Sequence, residues 1–150
     1  MLVVDDDELI LLFSSKYFGS SSLNVLTAKH GGEAVNVLKT AKVDLVLTDL
    51  KMPVMDGFEL LTYIGEKHPG IRTIAMTGLM SSNINERVRE LGVRQCIEKP
   101  FKFSVLDKMI AQLLGNNSAK PGQSYSVKQD NISADNYKFR GLTQSPVIPA

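Results

Sequence analysis

The chain has 150 residues, the size of one domain with something to spare. It is 43 % hydrophobic and 22 % charged with a formal charge of +1, so it can bury a domain-sized core, and no overall field draws it to nucleic acid or a membrane. Cys96 is the single cysteine, which excludes an intrachain disulfide and a cysteine-cluster zinc site; no apolar run nears the ~20 residues of a bilayer span, and MLVVDDDE lacks the basic start of a secretory signal, so a cytoplasmic protein is expected.

Strand and helix signals alternate along residues 1–114. Leu2–Val4 is a short apolar run ending in acids, and Asp6 or Asp7 is placed to cap the helix that follows. In that helix Leu9, Leu12, Phe13 and Tyr17 recur at helical spacing. Asn24–Ala28 reads as a second strand. Gly31–Thr40 reads as a second helix with Ala34, Val35 and Leu38 on one face. Val43–Thr48 is a strongly apolar strand, and Gly57–Lys67 a helix burying Phe58, Leu61 and Ile64. A fourth strand covers Ile71–Met76. The helix after it, Ser81–Leu91, is polar with a thin stripe of Ile84, Val88 and Leu91. Val93–Ile97 is the fifth strand. Phe103–Leu114 is the last helix, with Leu106, Met109, Ile110 and Leu113 at i, i+3, i+4 and i+7.

Five strands alternating with five helices predict an α/β fold. The expected form is a doubly wound, flavodoxin-like five-stranded parallel sheet of strand order 2-1-3-4-5. Residues 115–150 differ in kind. They carry 4 basic and 2 acidic residues against 13 and 14 in residues 1–114, hold Pro121, Pro146 and Pro149, and keep no periodic pattern. They read as a disordered tail with no output domain. Tyr125, Tyr137, Phe139 and Leu142 are its candidate docking residues.

The polar residues fall at strand ends. Asp5 and Asp6 follow strand 1, Asp49 follows strand 3, Thr77 strand 4 and Lys99 strand 5. A parallel sheet puts all these ends on one edge, and the crevice opens between strands 1 and 3, where the strand order reverses. Three carboxylates brought together repel, so they call for a cation. With oxygen ligands and no His or Cys among them, a hard ion such as Mg²⁺ or Mn²⁺ fits. A carboxylate beside such an ion can attack phosphorus, with Lys99 and the Thr77 hydroxyl stabilising the transferred group. Each residue alone has a plainer explanation. Asp5–Glu8 suits an acidic helix N-terminus, Asp49 or Thr77 a capping role, and Lys99 a solvated surface. It is their joint placement at the correct strand ends that makes a site. Met52 and Met55 read as loop packing, and His30 and His68 as surface residues.

The motifs VVDDD, TDLKMPVMDG, AMTG and EKPF, in this order and at these separations, resemble the receiver domain of two-component response regulators, of the stand-alone, chemotaxis-regulator kind. The resemblance covers residues 1–114. It implies that Asp49 is the phosphorylated aspartate, that Asp6 binds Mg²⁺ directly and that Asp5 holds it through water. It further implies that the Lys51 backbone carbonyl is a metal ligand, that Thr77 and Lys99 engage the phosphoryl group, and that the Lys99–Pro100 peptide is cis. Gly57 matches a tight turn. The resemblance also implies that Lys51 and Leu79, two residues past Asp49 and Thr77, flank the water's path and tune the phosphoryl lifetime. The family's switching aromatic, three residues before the lysine, is replaced here by Cys96, whose default reading is a small buried strand residue; strand 1 is short for the family.

The implied role is signalling rather than enzymatic. A sensor histidine kinase or phosphotransfer protein phosphorylates Asp49. The helix 4–strand 5–helix 5 face then changes affinity for a downstream protein, without direct contact to nucleic acid or membrane, as a monomer or weak dimer. The alternatives are a phosphate sink or scaffold, which uses the same residues, and a phosphotransferase of the haloacid dehalogenase type. The latter places an acid two residues after its nucleophile, where this chain has Lys51.

Overall fold

The computed structural model describes residues 1–20 and 23–115. Ten elements alternate along them: β1 (Leu2–Val4), α1 (Glu8–Gly19), β2 (Leu26–Ala28), α2 (Gly31–Thr40), β3 (Leu45–Asp49), α3 (Gly57–Lys67), β4 (Arg72–Thr77), α4 (Ser82–Glu90), β5 (Gln95–Glu98) and α5 (Phe103–Gly115). The five strands form one sheet in the order β2-β1-β3-β4-β5, with every neighbouring pair parallel. This is the expected doubly wound topology. Residues 116–150, and with them the expectation of a disordered tail, lie outside the described residues.

Both faces of the sheet are covered, which is why the strands read as apolar runs without alternation. On one face Val3, Leu45, Leu47, Ile74, Met76 and Ile97 meet Leu11 and Phe18 of α1 and Leu106, Met109 and Ile110 of α5. On the other, Leu2, Val4 and Val46 pack with Ala34 and Leu38 of α2 and Leu60 and Ile64 of α3. Ala75 lies with Leu61 and Val88 in a smaller cluster under α3 and α4. Short as it is, β1 is fully buried between β2 and β3. Its start is tied down, because the Met1 ammonium donates to the Asn24 carbonyl at 2.7 Å and the Leu26 amide to the Met1 carbonyl at 2.8 Å.

The helix starts follow their capping residues. Asp7 caps α1, accepting from the Leu9 amide at 2.9 Å. His30 caps α2, its Nδ1 accepting from the Glu33 amide at 3.2 Å. Asp56 opens α3 with a capping box: its carboxylate accepts from the Glu59 amide, and the Glu59 carboxylate from the Asp56 amide, both at 2.9 Å.

The Leu9, Leu12, Phe13 and Tyr17 stripe recurs at helical spacing but lies on the outer side of α1; these residues are 40–59 % exposed, and α1 buries Leu11, Ser14 and Phe18. The helix is apolar on both sides, so spacing alone cannot choose a face. Ser14 is buried with Leu11 and Phe18, and Phe18 packs edge-on to Phe103 of α5, with centroids 6.0 Å apart. In α3, Leu60 rather than Phe58 is fully buried; Phe58 lies half-buried beneath the Arg87 guanidinium, 3.9 Å from its ring centroid.

Candidate functional site

The C-terminal ends of β1, β3, β4 and β5 bring Asp5, Asp49, Thr77 and Lys99 to one edge of the sheet. Asp5 follows β1 directly and is fully buried. Its Oδ1 accepts from the Asp7 amide at 2.9 Å, and its Oδ2 accepts from Lys99 Nζ at 2.6 Å. Asp6, the next residue, is exposed. Asp49 ends β3 and is buried; its Oδ1 accepts from the Leu50 amide at 2.9 Å, while its Oδ2 lies 3.4 Å from Lys99 Nζ. Asp5, Asp6 and Asp49 each offer a carboxylate oxygen within 4.8 Å of the others. Lys99 therefore bridges two of three converging carboxylates.

The electrostatics follow from this packing. Burial pushes the Asp5 carboxyl above the usual carboxylate range, against the pull of Lys99 and the Asp7 amide. Burial also raises Asp49; Lys99 opposes the shift and Asp5 adds to it. For Lys99 burial works downward, but the Asp5 and Asp49 carboxylates outweigh it and hold the ammonium above its ordinary value. A divalent cation would relieve the strain of placing three acids here, and an all-oxygen donor set fits a hard ion.

The loop between β3 and α3 is held against the site by steric necessity. A Cβ on Gly57 would stand 2.1 Å from the Asp49 carbonyl oxygen and 2.7 Å from Leu50 Cα, so only glycine lets α3 start this close to Asp49. The Gly57 amide donates to the Leu50 carbonyl at 3.1 Å. On the far side of the loop the Gly31 amide donates to the Met55 carbonyl at 3.1 Å, and a Cβ on Gly31 would meet Met55 Cγ at 2.7 Å. Within this loop Met52 turns into the core and is buried, and Lys51 is exposed.

A receiver family matches this chain over residues 1–111: the response regulator receiver domain. The chain belongs to this family. The autoinducer 1 sensor kinase/phosphatase LuxN of Vibrio campbellii is 32 % identical over 119 residues, which cover 79 % of this chain and 14 % of LuxN. The transcriptional regulatory protein GlrR of Escherichia coli is 34 % identical over 148 residues, covering 99 % of this chain and 33 % of GlrR. The chain thus spans a minor part of these relatives. Among solved structures, a CheY-like response regulator receiver domain protein from Methanospirillum hungatei superposes with a TM-score of 0.73 at 30 % identity, covering 76 % of this chain and 91 % of that one.

Thr77 ends β4, buried, and its hydroxyl is turned to its own loop: Oγ1 donates to the Leu79 carbonyl at 3.0 Å and accepts from the Leu79 amide at 3.2 Å. The Lys99–Pro100 peptide is cis, and the Lys99 amide donates to the Thr77 carbonyl at 2.7 Å. Cys96 is half-buried in β5 and packs on the cluster of Leu50, Leu61, Ala75, Val88 and Val93. Burial, and then the nearby Glu98, push its thiol up to about 11. The sequence assigns Glu98 no role beyond its place in EKPF. Its carboxylate accepts from the Met80 amide at 3.0 Å, and its only sequence signal is its position beside Lys99.

Proposed function

We propose that this receiver takes a phosphoryl group on Asp49 from a histidine kinase or phosphotransfer protein and signals through the α4–β5–α5 face to a downstream protein. The observation that carries the reading is the placement of Lys99 Nζ, 2.6 Å from Asp5 and 3.4 Å from Asp49, beside three converging carboxylates. That is a ready mate for negative charge arriving on Asp49. Asp5, Asp6 and Asp49, with the Lys51 carbonyl, are the residues that would hold Mg²⁺ or Mn²⁺. When bound, the ion supplies charge neutralisation for the phosphoryl oxygens.

In the transfer, an Asp49 carboxylate oxygen forms a bond to phosphorus as the donor's nitrogen–phosphorus bond breaks, and the released imidazole nitrogen takes up a proton. The Leu50 amide fixes one Asp49 oxygen and so orients the carboxylate. Asp5 holds the Lys99 ammonium in reach, and Lys99 turns towards the added charge. The Thr77 hydroxyl leaves Leu79 for the phosphoryl group, which pulls the β4–α4 loop and α4 with it. The kinase and regulator relatives support partners of the phosphorelay type, and the reading puts the event in the cytoplasm.

The test is incubation with a small phosphodonor and Mg²⁺, read by intact mass. A phosphoryl adduct on the wild type that is absent in Asp49→Asn and lost with EDTA is the expected result. An adduct that persists in Asp49→Asn would refute the assignment of the acceptor.

A further inference from the structure

The loop between β4 and α4 is fastened from a residue outside the set just described. Thr77 stands opposite Glu98 in the β4–β5 ladder. Gly78, Leu79 and Met80 follow, and Ser81 then caps α4 by accepting from the Ile84 amide at 3.3 Å. Among the described residues, the hydrogen bonds of Leu79 run back to Thr77. Among the described residues, the hydrogen bond that reaches residues 78–80 from another strand is the one from the Met80 amide to Glu98 Oε1, at 3.0 Å.

Packing around the first half of this loop is sparse. An added Cβ on Gly78 meets nothing within 4 Å, and Leu79 is 66 % exposed. The helix beyond is lightly anchored, with Val88 its one fully buried residue. By contrast α3 buries Gly57, Leu60, Leu61 and Ile64.

From this geometry we propose that Glu98 is a positioning residue that latches the β4–α4 loop, holding Met80 in the arrangement in which the Thr77 hydroxyl is engaged with Leu79 and opposing its turn towards Asp49. The idea rests on the reading of Asp49 as phosphoacceptor. The latch biases a two-state element, so removing it favours the state in which Thr77 reaches the site. A net hydrogen bond of ordinary strength converts to about a threefold to tenfold change in that equilibrium.

Two variants and two readouts test it. Glu98→Ala removes the acceptor, and Glu98→Gln keeps a side-chain oxygen at the same reach while removing the charge. Amide hydrogen exchange at Met80, followed by NMR on the untreated protein, reports the bond itself. Affinity for beryllofluoride with Mg²⁺, a mimic of the phosphoryl group, reports the switch. Glu98→Ala is expected to speed Met80 exchange about threefold to tenfold and to tighten beryllofluoride binding by a similar factor, with Glu98→Gln close to wild type. A merely structural role would lower stability without tightening binding. Unchanged Met80 exchange in Glu98→Ala would overturn the latch, as would unchanged or weaker beryllofluoride affinity, or a Gln variant that behaves like Ala. A wild type that ignores beryllofluoride would instead remove the Asp49 reading and the latch's role with it, while the Met80 exchange would still show whether the bond holds the loop.

Discussion

Val54 is held where a β-branched residue is least at ease. Its φ is +71°, and the Met55 amide donates to the Pro53 carbonyl at 2.9 Å across it. A hydrogen bond spanning one residue at positive φ is a γ-turn of the rare, strained hand. The side chain is 84 % exposed, so it gives back almost no burial for the strain. Such a residue costs of order 1–3 kcal/mol. Glycine takes positive φ freely but loses more chain entropy on folding, about 0.5–1 kcal/mol. The difference predicts that Val54→Gly stabilises the domain by about 1 kcal/mol. Urea unfolding measures it directly: with a slope of about 1–2 kcal/mol/M, the midpoint should rise by roughly 0.5–1 M at unchanged slope. Val54→Ala keeps the Cβ and should recover only a fraction of the gain. A midpoint for Val54→Gly at or below wild type would refute the assignment of strain to this turn.

Three further outcomes follow from the site. Gly57→Ala drives a methyl group into the Asp49 carbonyl, 2.1 Å away before relaxation, and should cost about 3 kcal/mol or more; a wild-type melting curve would contradict that packing. Lys99→Ala leaves the buried Asp5 without its 2.6 Å partner and should cost about 2 kcal/mol at pH 7 without divalent ions. Since the folded-state Asp5 pKa is already raised, the native protein binds the extra proton, and stability falls as pH rises from the unfolded value through the folded one. Losing Lys99 widens that window, so the deficit should shrink as pH is lowered towards 4 in paired urea titrations, and a pH-independent deficit would count against the ion pair. Cys96, with its thiol at about 11, should be alkylated slowly at pH 8 in the folded protein, faster about tenfold per pH unit up to pH 11, and rapidly in denaturant. Fast alkylation of the folded protein at pH 8 would contradict its burial.

The sheet and the site edge were legible because both rest on strong, local signals. Runs such as Val43–Thr48 have no alternation, which only a strand covered on both faces requires, and chemistry-bearing residues at the ends of such runs must share an edge. The strand limits moved by a residue or two because a strand is bounded by its ladder and not by its apolar run: β5 begins at Gln95, paired with Ile74 of β4, and not at the apolar Val93. The buried face of α1 was not legible, because ELILLFSSKYFG carries apolar residues on both sides, and Phe18 is buried against Phe103, a contact between distant parts of the chain. Glu98 was invisible for a related reason. A glutamate at a strand end looks like any surface charge until the loop after β4 delivers the Met80 amide to it.

The proposed switch has one stabilising group in place and the other turned away. Lys99 already lies between Asp5 and Asp49, so charge added to Asp49 needs little from β5 beyond a shift of an ammonium. Thr77 faces Leu79, so its contribution requires breaking two hydrogen bonds within the loop. The elements differ in what they can yield. On the α1–α5 face Phe18, Leu106, Met109 and Ile110 are buried, and each fully buried side chain of this size is worth about 1.5–3 kcal/mol against exposure. Displacing those helices would cost several such side chains. Displacing α4 would cost less, since Val88 is its one fully buried residue, with Ile84 half-buried beside it and Arg87 over Phe58. A phosphoryl group can supply only its differential affinity for the two states. A rearrangement within that limit runs through the β4–α4 loop and α4, and leaves the remainder of the sheet and its helices where they are.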